Sequence, residues 1–372
     1  MIFHFFPRTV INQRSAGKAI LATLKEEGLD ISGITTLPTH TRPYPDRYKQ
    51  FNRTAQYVAT NDAKKDLVMA MADMNIFSGT LPKSIYPEAK WIVVDANWNP
   101  GRMRHLMASS NGANVAFEPV SVAKSAQLFH PNLPNSTGAE GYTITLDIFP
   151  NNIVDLATPN QYELAAMHAS AQKHEFFESD RWWQVIDALG IPSTGARDRF
   201  VTLTSPKMTD EGIPLQTIQL LPFIPTILTK LGAGGVLMTK LLKPNDWRLT
   251  DPAEAPFILS RTSNGSTEVG GVYMRLFPAT EQVDEVVSVN GVGDTFLGVL
   301  IAGLARGLEL DKNLIDVAQK GAVMTLRSPE GVNPKLGKLS MELKMLLAGV
   351  NKDMERAENL KRDEALLAAA GF

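Results

Sequence analysis

The sequence predicts an α/β fold, because strand-like and helix-like segments alternate along most of its 372 residues. Short runs of β-branched residues end in polar residues, as buried parallel strands do where they reach the edge of a sheet. Apolar stretches with helical spacing lie between these runs. A hydrophobic content of 44% and a charged content of 20% are typical of a globular protein with a large core.

The predicted elements follow one another in a regular order. The strands are TAQYVAT (54–60), WIVVDAN (91–97), NVAFEP (114–119), NIVDLATPN (152–160), TILTKLGAGGVLM (226–238) and STEVGGVYMRLFP (266–278). The first helix runs from Ser15, its predicted cap, to about Glu27, and Gly28 is its stop. An apolar helix follows Asp294, and another covers about 311–326.

Charge and composition exclude several classes of protein. The 37 basic and 39 acidic residues give a net charge of −2, so neither nucleic acid nor a membrane is expected as a partner. The absence of cysteine excludes disulfides and thiolate catalysis and favours a reducing compartment. The most apolar stretch, 295–305, is too short to span a membrane. Only basic charges precede Glu26, as in mitochondrial presequences, but an irregular N-terminal segment is preferred and a cytoplasmic location is expected.

The segment SVNGVGDTF, 288–296, carries the clearest chemical signal. A strand-like run enters a glycine turn, and a long apolar helix leaves it. The turn Gly291, Val292, Gly293 aims amide N–H groups at one point at a helix N-terminus, which suits a phosphate. Asp294 would repel a resting phosphate, but it can deprotonate a hydroxyl that attacks a transferring phosphoryl group. The alternative is an ordinary strand-to-helix turn in which Asp294 caps the helix.

Other nucleotide-binding and catalytic motifs do not occur in the sequence. GAGGVL, which follows Leu231, lacks the last glycine of the dinucleotide-binding fingerprint, and there is no GxxxxGK[ST] loop. Neither HExxH nor GxSxG is present. The glycine turn is therefore the motif on which a functional interpretation depends.

NGVGDTFLGVLIAGL, 290–304, resembles the C-terminal signature of the PfkB/ribokinase family of sugar and nucleoside kinases. Three further segments are similar to family motifs and occur in the family's order. They are TPNQYE (158–163), KLGAGG (230–235) and AQKGAVMTLRSPEGVNP (318–334). The resemblance covers about 15–337. It implies a ribokinase-like three-layer α/β/α sandwich with a central, mostly parallel sheet and a small β lid.

The resemblance also implies a role for each matching residue. The turn at Gly291, Val292 and Gly293 forms an anion hole, and Asp294 is the catalytic base. The residues implied in binding ATP are Asn160, Glu163, Lys230, Gly232, Gly235, Gln319 and Asn333. Of these, Asn160 and Glu163 are implied to organise Mg²⁺ through water.

Each matching segment also has a purely structural interpretation. The run 158–161 is a good capping box with proline at the first helical position. Gly232 and Gly235 can shape a hairpin, and Asn333 before Pro334 can form a turn. Three such coincidences in the family's order are less plausible than one family, so the functional interpretation is favoured.

Within the family, the sequence resembles most closely the pseudouridine kinase domains of fungal bifunctional proteins. The matching segments are 54–74, 117–125, 157–164 and 288–299. The implied function is ATP-dependent phosphorylation of pseudouridine to pseudouridine 5′-phosphate, with a hairpin bearing Thr54 and Gln56 closing over the small-molecule substrate. The alternatives are a nucleotide-binding pseudoenzyme and a kinase for another sugar or nucleoside.

Two kinds of partner are left open by this resemblance. In the fungal proteins a pseudouridine-5′-phosphate glycosidase domain precedes the kinase, and the present sequence has no such domain. Association with a separate glycosidase domain is therefore one expectation. The other is a homo-oligomer of this chain.

The resemblance divides the chain into three parts. Residues 1–14 are an atypical N-terminal segment, because no GG-x-G-x-N motif precedes the Ser15 helix. Residues 15–337 form a kinase domain that is N-terminally incomplete, with a lid hairpin near 36–60. Residues 338–372 form a helical C-terminal tail. Since the missing asparagine grips the ribose hydroxyls in the family, the loss of this motif leaves activity open.

Two substitutions depart from the family pattern within the matched motifs. Ser288 stands where the family has an acidic residue, which leaves a requirement for a monovalent cation such as K⁺ open. Lys230 stands where the family has the threonine of its TLG motif, and a lysine there also attracts phosphate.

Overall fold

The computed structural model describes residues 9–37, 53–62, 67–78, 89–131, 145–192 and 194–350. They fall into two compact units. The first takes its residues from Met1–Asp147 and Ala166–Phe177, and the second from Ile148–Ala165 and Glu178–Phe372. Both units contain strands and helices, which confirms the predicted α/β class. In the described part of the chain, no helix is both long enough and apolar enough to cross a membrane.

The described residues of the first unit form three pairs of strands. Its strands are β1 (Val10–Asn12), β2 (Thr35–Leu37), β3 (Gln56–Asn61), β4 (Leu67–Asp73), β5 (Trp91–Asp95) and β6 (Asn114–Glu118). Its helices are α1 (Ser15–Glu26), α2 (Pro100–Ala108) and α3 (Val122–Ser125). The pairs β1–β2 and β5–β6 are parallel, and each is joined through a helix. The pair β3–β4 is an antiparallel hairpin.

The observed start of helix α1 differs from the predicted one. Ser15 is the first helical residue rather than the cap, and Arg14 occupies the cap position without capping through its side chain. The side chain of Asn12 accepts the N–H of Arg14 at 3.1 Å and so orders the entry to the helix. Gly28, with a φ of +74°, follows the helix as predicted.

The hairpin β3–β4 lies later in the chain than the predicted lid. The lid was placed near 36–60, whereas the two paired strands span Gln56–Asn61 and Leu67–Asp73. Residues 38–52 of the predicted range lie outside the described residues. The predicted strand at 54–60 therefore coincides with the first half of the hairpin.

In the second unit, the described residues form five strands in the order β10-β11-β9-β8-β7. They are β7 (Leu156–Ala157), β8 (Thr226–Lys230), β9 (Val236–Leu242), β10 (Ile258–Arg261) and β11 (Gly271–Phe277). β7 pairs in parallel with β8, whereas the ladders β8–β9, β9–β11 and β10–β11 are antiparallel.

The predicted strand at 226–238 is two strands joined by a turn. β8 ends at Lys230, and a short 3₁₀ turn at Gly232–Gly234 leads into β9. Gly232 and Gly235 have φ values of +58° and +89°, and the N–H of Leu231 donates to the carbonyl oxygen of Gly235 at 2.8 Å. These glycines allow the backbone to reverse, so the hairpin interpretation of this segment is confirmed.

The helices from Gln161 onward include seven that lie before residue 330 in the described part of the chain. They are α4 (Gln161–Lys173), α5 (Asp180–Ala188), α6 (Ala196–Leu203), α7 (Pro206–Asp210), α8 (Ile213–Leu220), α9 (Val292–Leu304) and α10 (Lys312–Leu326). The first turn of α4 belongs to the second unit and the rest to the first. A further helix covers 339–350, and the remainder of the predicted helical tail lies outside the described residues.

Helices α9 and α10 pack directly on each other. The buried side of α9 includes Phe296 and Leu300, and Leu314 of α10 is fully buried. A Cβ at Gly303 would lie 2.3 Å from a methyl carbon of Leu314, so the two helices approach closely at this point. The hydroxyls of Thr295 and Thr325 lie 3.0 Å apart across the same interface. This packing fixes the position of the N-terminus of α9.

Candidate active site

The N-terminus of α9 lies in the second unit and presents unpaired backbone amides. Gly291 is the cap residue, with a φ of +71°, and the first intrahelical bond runs from the N–H of Thr295 to the carbonyl oxygen of Gly291 at 2.8 Å. The N–H groups of Val292, Gly293 and Asp294 donate to no other described residue. An α-helix always leaves its first N–H groups without an intrahelical partner, and they favour an anion.

Asp294 is the third residue of α9, and its side chain is exposed. Among the described residues it takes part in no hydrogen bond or ion pair. It therefore does not accept the N–H of Gly291 as a capping carboxylate would, and the capping alternative is not observed. The geometry leaves its carboxylate accessible beside the unpaired amides of the same turn.

The glycine turn is fastened to the C-terminal end of α10. The N–H groups of Val287 and Ser288 donate to the carbonyl oxygen of Leu326 at 2.9 and 3.2 Å. A Cβ at Gly291 would lie 1.6 Å from the carbonyl oxygen of Gly331, so these two backbones are in contact. The turn is thus held by the loop that follows α10.

Asn333 and Gln319 both bind the backbone. Asn333 donates from its side-chain amide to the carbonyl oxygen of Met324 at 2.7 Å and accepts the N–H of Lys335 at 2.8 Å. Gln319 is buried and donates to the carbonyl oxygen of Pro278 at 3.1 Å. Because these side-chain groups already have partners, both residues position the loops around the helix.

Asn160 and Glu163 form a reciprocal capping box at the start of α4. The side-chain oxygen of Asn160 accepts the N–H groups of Tyr162 and Glu163, each at 2.9 Å. Glu163 is buried and accepts the N–H of Asn160 at 2.8 Å. The capping box predicted at 158–161 therefore lies two residues later in the chain, because α4 begins at Gln161 rather than at Pro159. The observed box holds Asn160 and Glu163 in a fixed geometry.

The arrangement of Asn160 and Glu163 is compatible with contacts to Mg²⁺ through water. The described residues contain no group of three or more histidine, cysteine or acidic side chains that could hold a metal ion. Mg²⁺ commonly keeps several waters and takes its remaining ligands from phosphates. A pair of rigid polar residues at a helix N-terminus, as Asn160 and Glu163 are, fits this requirement.

Lys230 connects three parts of the candidate site. It pairs with Asn160 in an isolated parallel bridge, and its N–H donates to the carbonyl oxygen of Pro159 at 2.8 Å. Its Nζ lies 2.9 Å from the position that a Cβ at Gly293 would take. The ammonium group therefore lies at the second residue of α9. The sequence analysis placed Lys230 in the phosphate loop but did not predict that its side chain reaches Gly293. The one hint in the sequence was that a lysine stands where the family has a threonine.

The two predicted lid residues belong to the first unit. Thr54 is 5% exposed, and its hydroxyl accepts the N–H of Asn12 at 3.0 Å. Gln56 is the first residue of β3 and is exposed. Thr54 thus supports the end of β1, whereas Gln56 is accessible to a ligand.

A polar cluster at the end of β5 was also missed. Asn97 donates from its backbone and from its side-chain amide to the carboxylate of Asp95, each at 2.9 Å, and its side-chain oxygen accepts a hydrogen bond from Lys124. Burial lowers the pKa of the Lys124 ammonium, while the charge of Asp95 acts in the opposite direction. The polar ending of WIVVDAN was the sequence signal for this cluster.

Comparison with known proteins gives one curated relative and a group of solved structures. No family model matches the chain. The chain is 30% identical over 293 residues, 76% of its length, to a pseudouridine-metabolizing bifunctional protein of Schizosaccharomyces pombe. It spans only 35% of the length of that relative.

Many solved structures have a similar fold, and two of them serve as examples. A ribokinase of Arabidopsis thaliana, complexed with ribose and ATP, has a TM-score of 0.51 at 12% identity, over 92% of this chain and 82% of that one. A proposed ribokinase from Agrobacterium tumefaciens has a TM-score of 0.50 at 13% identity, over 92% of this chain and 81% of that one. These likenesses confirm the ribokinase-like fold that the sequence predicts.

Proposed function

We propose that this chain, which has the ribokinase fold, transfers the γ-phosphoryl group of ATP to a hydroxyl of a nucleoside or sugar. One observation carries this proposal: three unpaired backbone amides at the start of α9 lie beside the exposed carboxylate of Asp294. Pseudouridine, phosphorylated at its 5′-hydroxyl, is the foremost acceptor. The similarity to the Schizosaccharomyces pombe protein supports that choice.

The amides of Val292, Gly293 and Asp294 would act as an anion hole. Charge builds up on the equatorial oxygens of the transferring phosphoryl group, and donors that are already oriented stabilise it without reorganisation. The helix dipole adds to this effect at the same point. The contact between Gly291 and Gly331 keeps the donors in place.

Asp294 would take the proton from the acceptor hydroxyl. As that proton leaves, the acceptor oxygen forms a bond to the γ-phosphorus, and the bond from phosphorus to the bridging oxygen breaks, which releases ADP. The exposed carboxylate is available for this step because it is not engaged in capping the helix.

ATP would lie along the turn at Gly232 and Gly235 and the loop after α10. A Cβ at Gly235 would lie 2.1 Å from the carbonyl oxygen of Phe277, so this buried glycine lets the turn pack against the end of β11. Gly232, at the start of the turn, is exposed. Asn160 and Glu163 would hold Mg²⁺ through water, where it would neutralise charge on the phosphates. Gln319 and Asn333 would support the loops on the nucleotide side.

A nucleotide-binding pseudoenzyme is the second candidate. It is favoured by one observation, which is that Arg14 rather than a glycine pair precedes α1. Calorimetry separates the two candidates, since a pseudoenzyme would bind ATP but neither pseudouridine nor ribose. Two further proposals remain. One is association with a glycosidase or with a second copy of this chain, which size-exclusion chromatography would test. The other is a cytoplasmic or mitochondrial location, which cell fractionation would test.

The test of the proposed function is a screen for ADP release by the purified protein. Pseudouridine, ribose, adenosine and fructose would be offered as acceptors with ATP and Mg²⁺, with and without added K⁺. We expect ADP release with pseudouridine and a product heavier by one phosphoryl group in mass spectrometry. Release with ribose, adenosine or fructose alone would assign another acceptor. ATP hydrolysis without any phosphorylated product would contradict the proposal.

A further inference from the structure

The ammonium group of Lys230 lies at the N-terminus of α9, where a positive side chain is uncommon. The N-terminus of a helix is already positive, and cations are favoured at the opposite end. Yet Nζ of Lys230 lies 2.9 Å from the position of a Cβ at Gly293, within the first turn of α9. The ammonium group and the amides of this turn together form a positive region at the start of α9, and such a region favours an anion.

The backbone of Lys230 is fixed on both sides, so this approach is built into the fold. Its N–H donates to Pro159, it bridges to Asn160, and its strand pairs with β9 up to Val236. The phosphate-loop turn at Gly232 begins only two residues later. Lys230 therefore stands between the turn proposed for the nucleotide phosphates and the amides proposed as the anion hole.

We propose that Lys230 is a catalytic residue whose ammonium group contacts the γ-phosphoryl group as it passes from ATP to the acceptor. This inference rests on the proposed function and deepens it. A lysine acts on phosphate as a mobile point charge, and such a charge stabilises the oxygens of the transferring group most where their charge is greatest. The ammonium transfers no proton in this step.

The first test compares the kinetics of three variants. Lys230→Met removes the charge, Lys230→Arg retains it, and Lys207→Met is the control, because the Lys207 side chain is 85% exposed on α7. We expect Lys230→Met to lower kcat at least about a hundredfold, as the loss of an anion-hole donor does, while KM for ATP changes far less. Lys230→Arg should recover part of the loss, and Lys207→Met should show none. A kcat of Lys230→Met within threefold of the unaltered protein would overturn the proposal.

The second test needs no acceptor, so it separates this inference from the proposed function. Calorimetry would measure the affinity for ADP and Mg²⁺ with and without aluminium fluoride, which mimics a transferring phosphoryl group. We expect fluoride to tighten ADP binding at least about tenfold in the unaltered protein, because a transition-state mimic meets the full positive field of the site. Lys230→Met should lose this gain and keep its affinity for ADP alone.

Two results of the calorimetry would overturn the role of Lys230. One is a full fluoride-dependent gain in Lys230→Met, and the other is no gain in the unaltered protein. If the gain depends on Lys230 but no acceptor is phosphorylated, the contact of Lys230 with the transferring phosphoryl group stands, and the proposed phosphorylation of a nucleoside or sugar fails. A melting temperature of Lys230→Met close to that of Lys207→Met would show that the losses are not caused by unfolding.

Discussion

Gly291 and Gly331 are in backbone contact, so closely that a Cβ on Gly291 would lie 1.6 Å from the carbonyl oxygen of Gly331. The contact joins the cap of α9 to the loop that follows α10, although the two residues are far apart in the chain. The position of the unpaired amides, and with it the proposed anion hole, depends on this contact.

Replacing Gly291 by alanine should therefore disrupt both folding and activity. The new methyl group meets backbone, which cannot swing away, and a φ of +71° costs a residue with a side chain about 1 kcal/mol or more. We expect a lower melting temperature and loss of ADP release. Gly298→Ala is the matched control, because Gly298 is exposed in the same helix and no atom lies within 4 Å of its added Cβ.

The control variant should behave in the opposite way. Alanine is favoured over glycine within a helix by about 1 kcal/mol, so Gly298→Ala should melt at the same or a higher temperature and retain its activity. Equal effects of Gly291→Ala and Gly298→Ala on the melting temperature would contradict the importance of the Gly331 contact.

Gly293→Ala should impair catalysis by displacing Lys230. The added methyl lies 2.9 Å from Nζ, and the end of a lysine side chain can move, so we expect a folded protein with lower kcat. In a double-mutant cycle, Gly293→Ala should cost much less in the Lys230→Met background. Measured kcat values for the four proteins give the coupling directly. Full additivity would mean that the methyl does not act through the ammonium group.

Asn160→Ala should lower stability through the loss of the capping box. Removing an N-cap side chain costs about 0.5–2 kcal/mol, and the buried Glu163 would also lose the geometry that Asn160 imposes. Urea titration would measure this loss. Asn160→Ser should restore most of the stability, because serine also caps helices.

The same two variants test the proposed contact with Mg²⁺. If Asn160 also orders the water around the ion, both variants should need more Mg²⁺ for half-maximal activity, whatever their stability. An unchanged Mg²⁺ requirement in a stable Asn160→Ser protein would limit Asn160 to the capping role.

The elements that the sequence predicted well are those in which local pattern and burial agree. The predicted strands at 91–97 and 114–119 contain β5 and β6, and the helix predicted at about 311–326 is α10 almost to the residue. Their apolar residues face a core at the spacing that each element requires. At Ser15 the local sequence was a weaker guide, because a serine typical of a helix cap is instead the first residue of α1.

What the sequence did not reveal depends on contacts between distant residues. The single strand predicted at 226–238 divides at the Gly232–Gly235 turn, because β9 returns antiparallel to β8. The approach of Lys230 to Gly293 joins residues more than sixty positions apart, which no local pattern encodes. The glycine turn and Asp294 were identified because their whole chemistry lies within a few consecutive residues.

The turnover of Asp294→Asn with ATP and pseudouridine tests the central claim most directly. The account predicts that ADP release falls at least about a hundredfold, with the affinity for ATP and the melting temperature nearly unchanged, because the side chain has no structural partner among the described residues. A rate close to that of the unaltered protein would show that Asp294 is not the base, and the proposed mechanism would then be wrong.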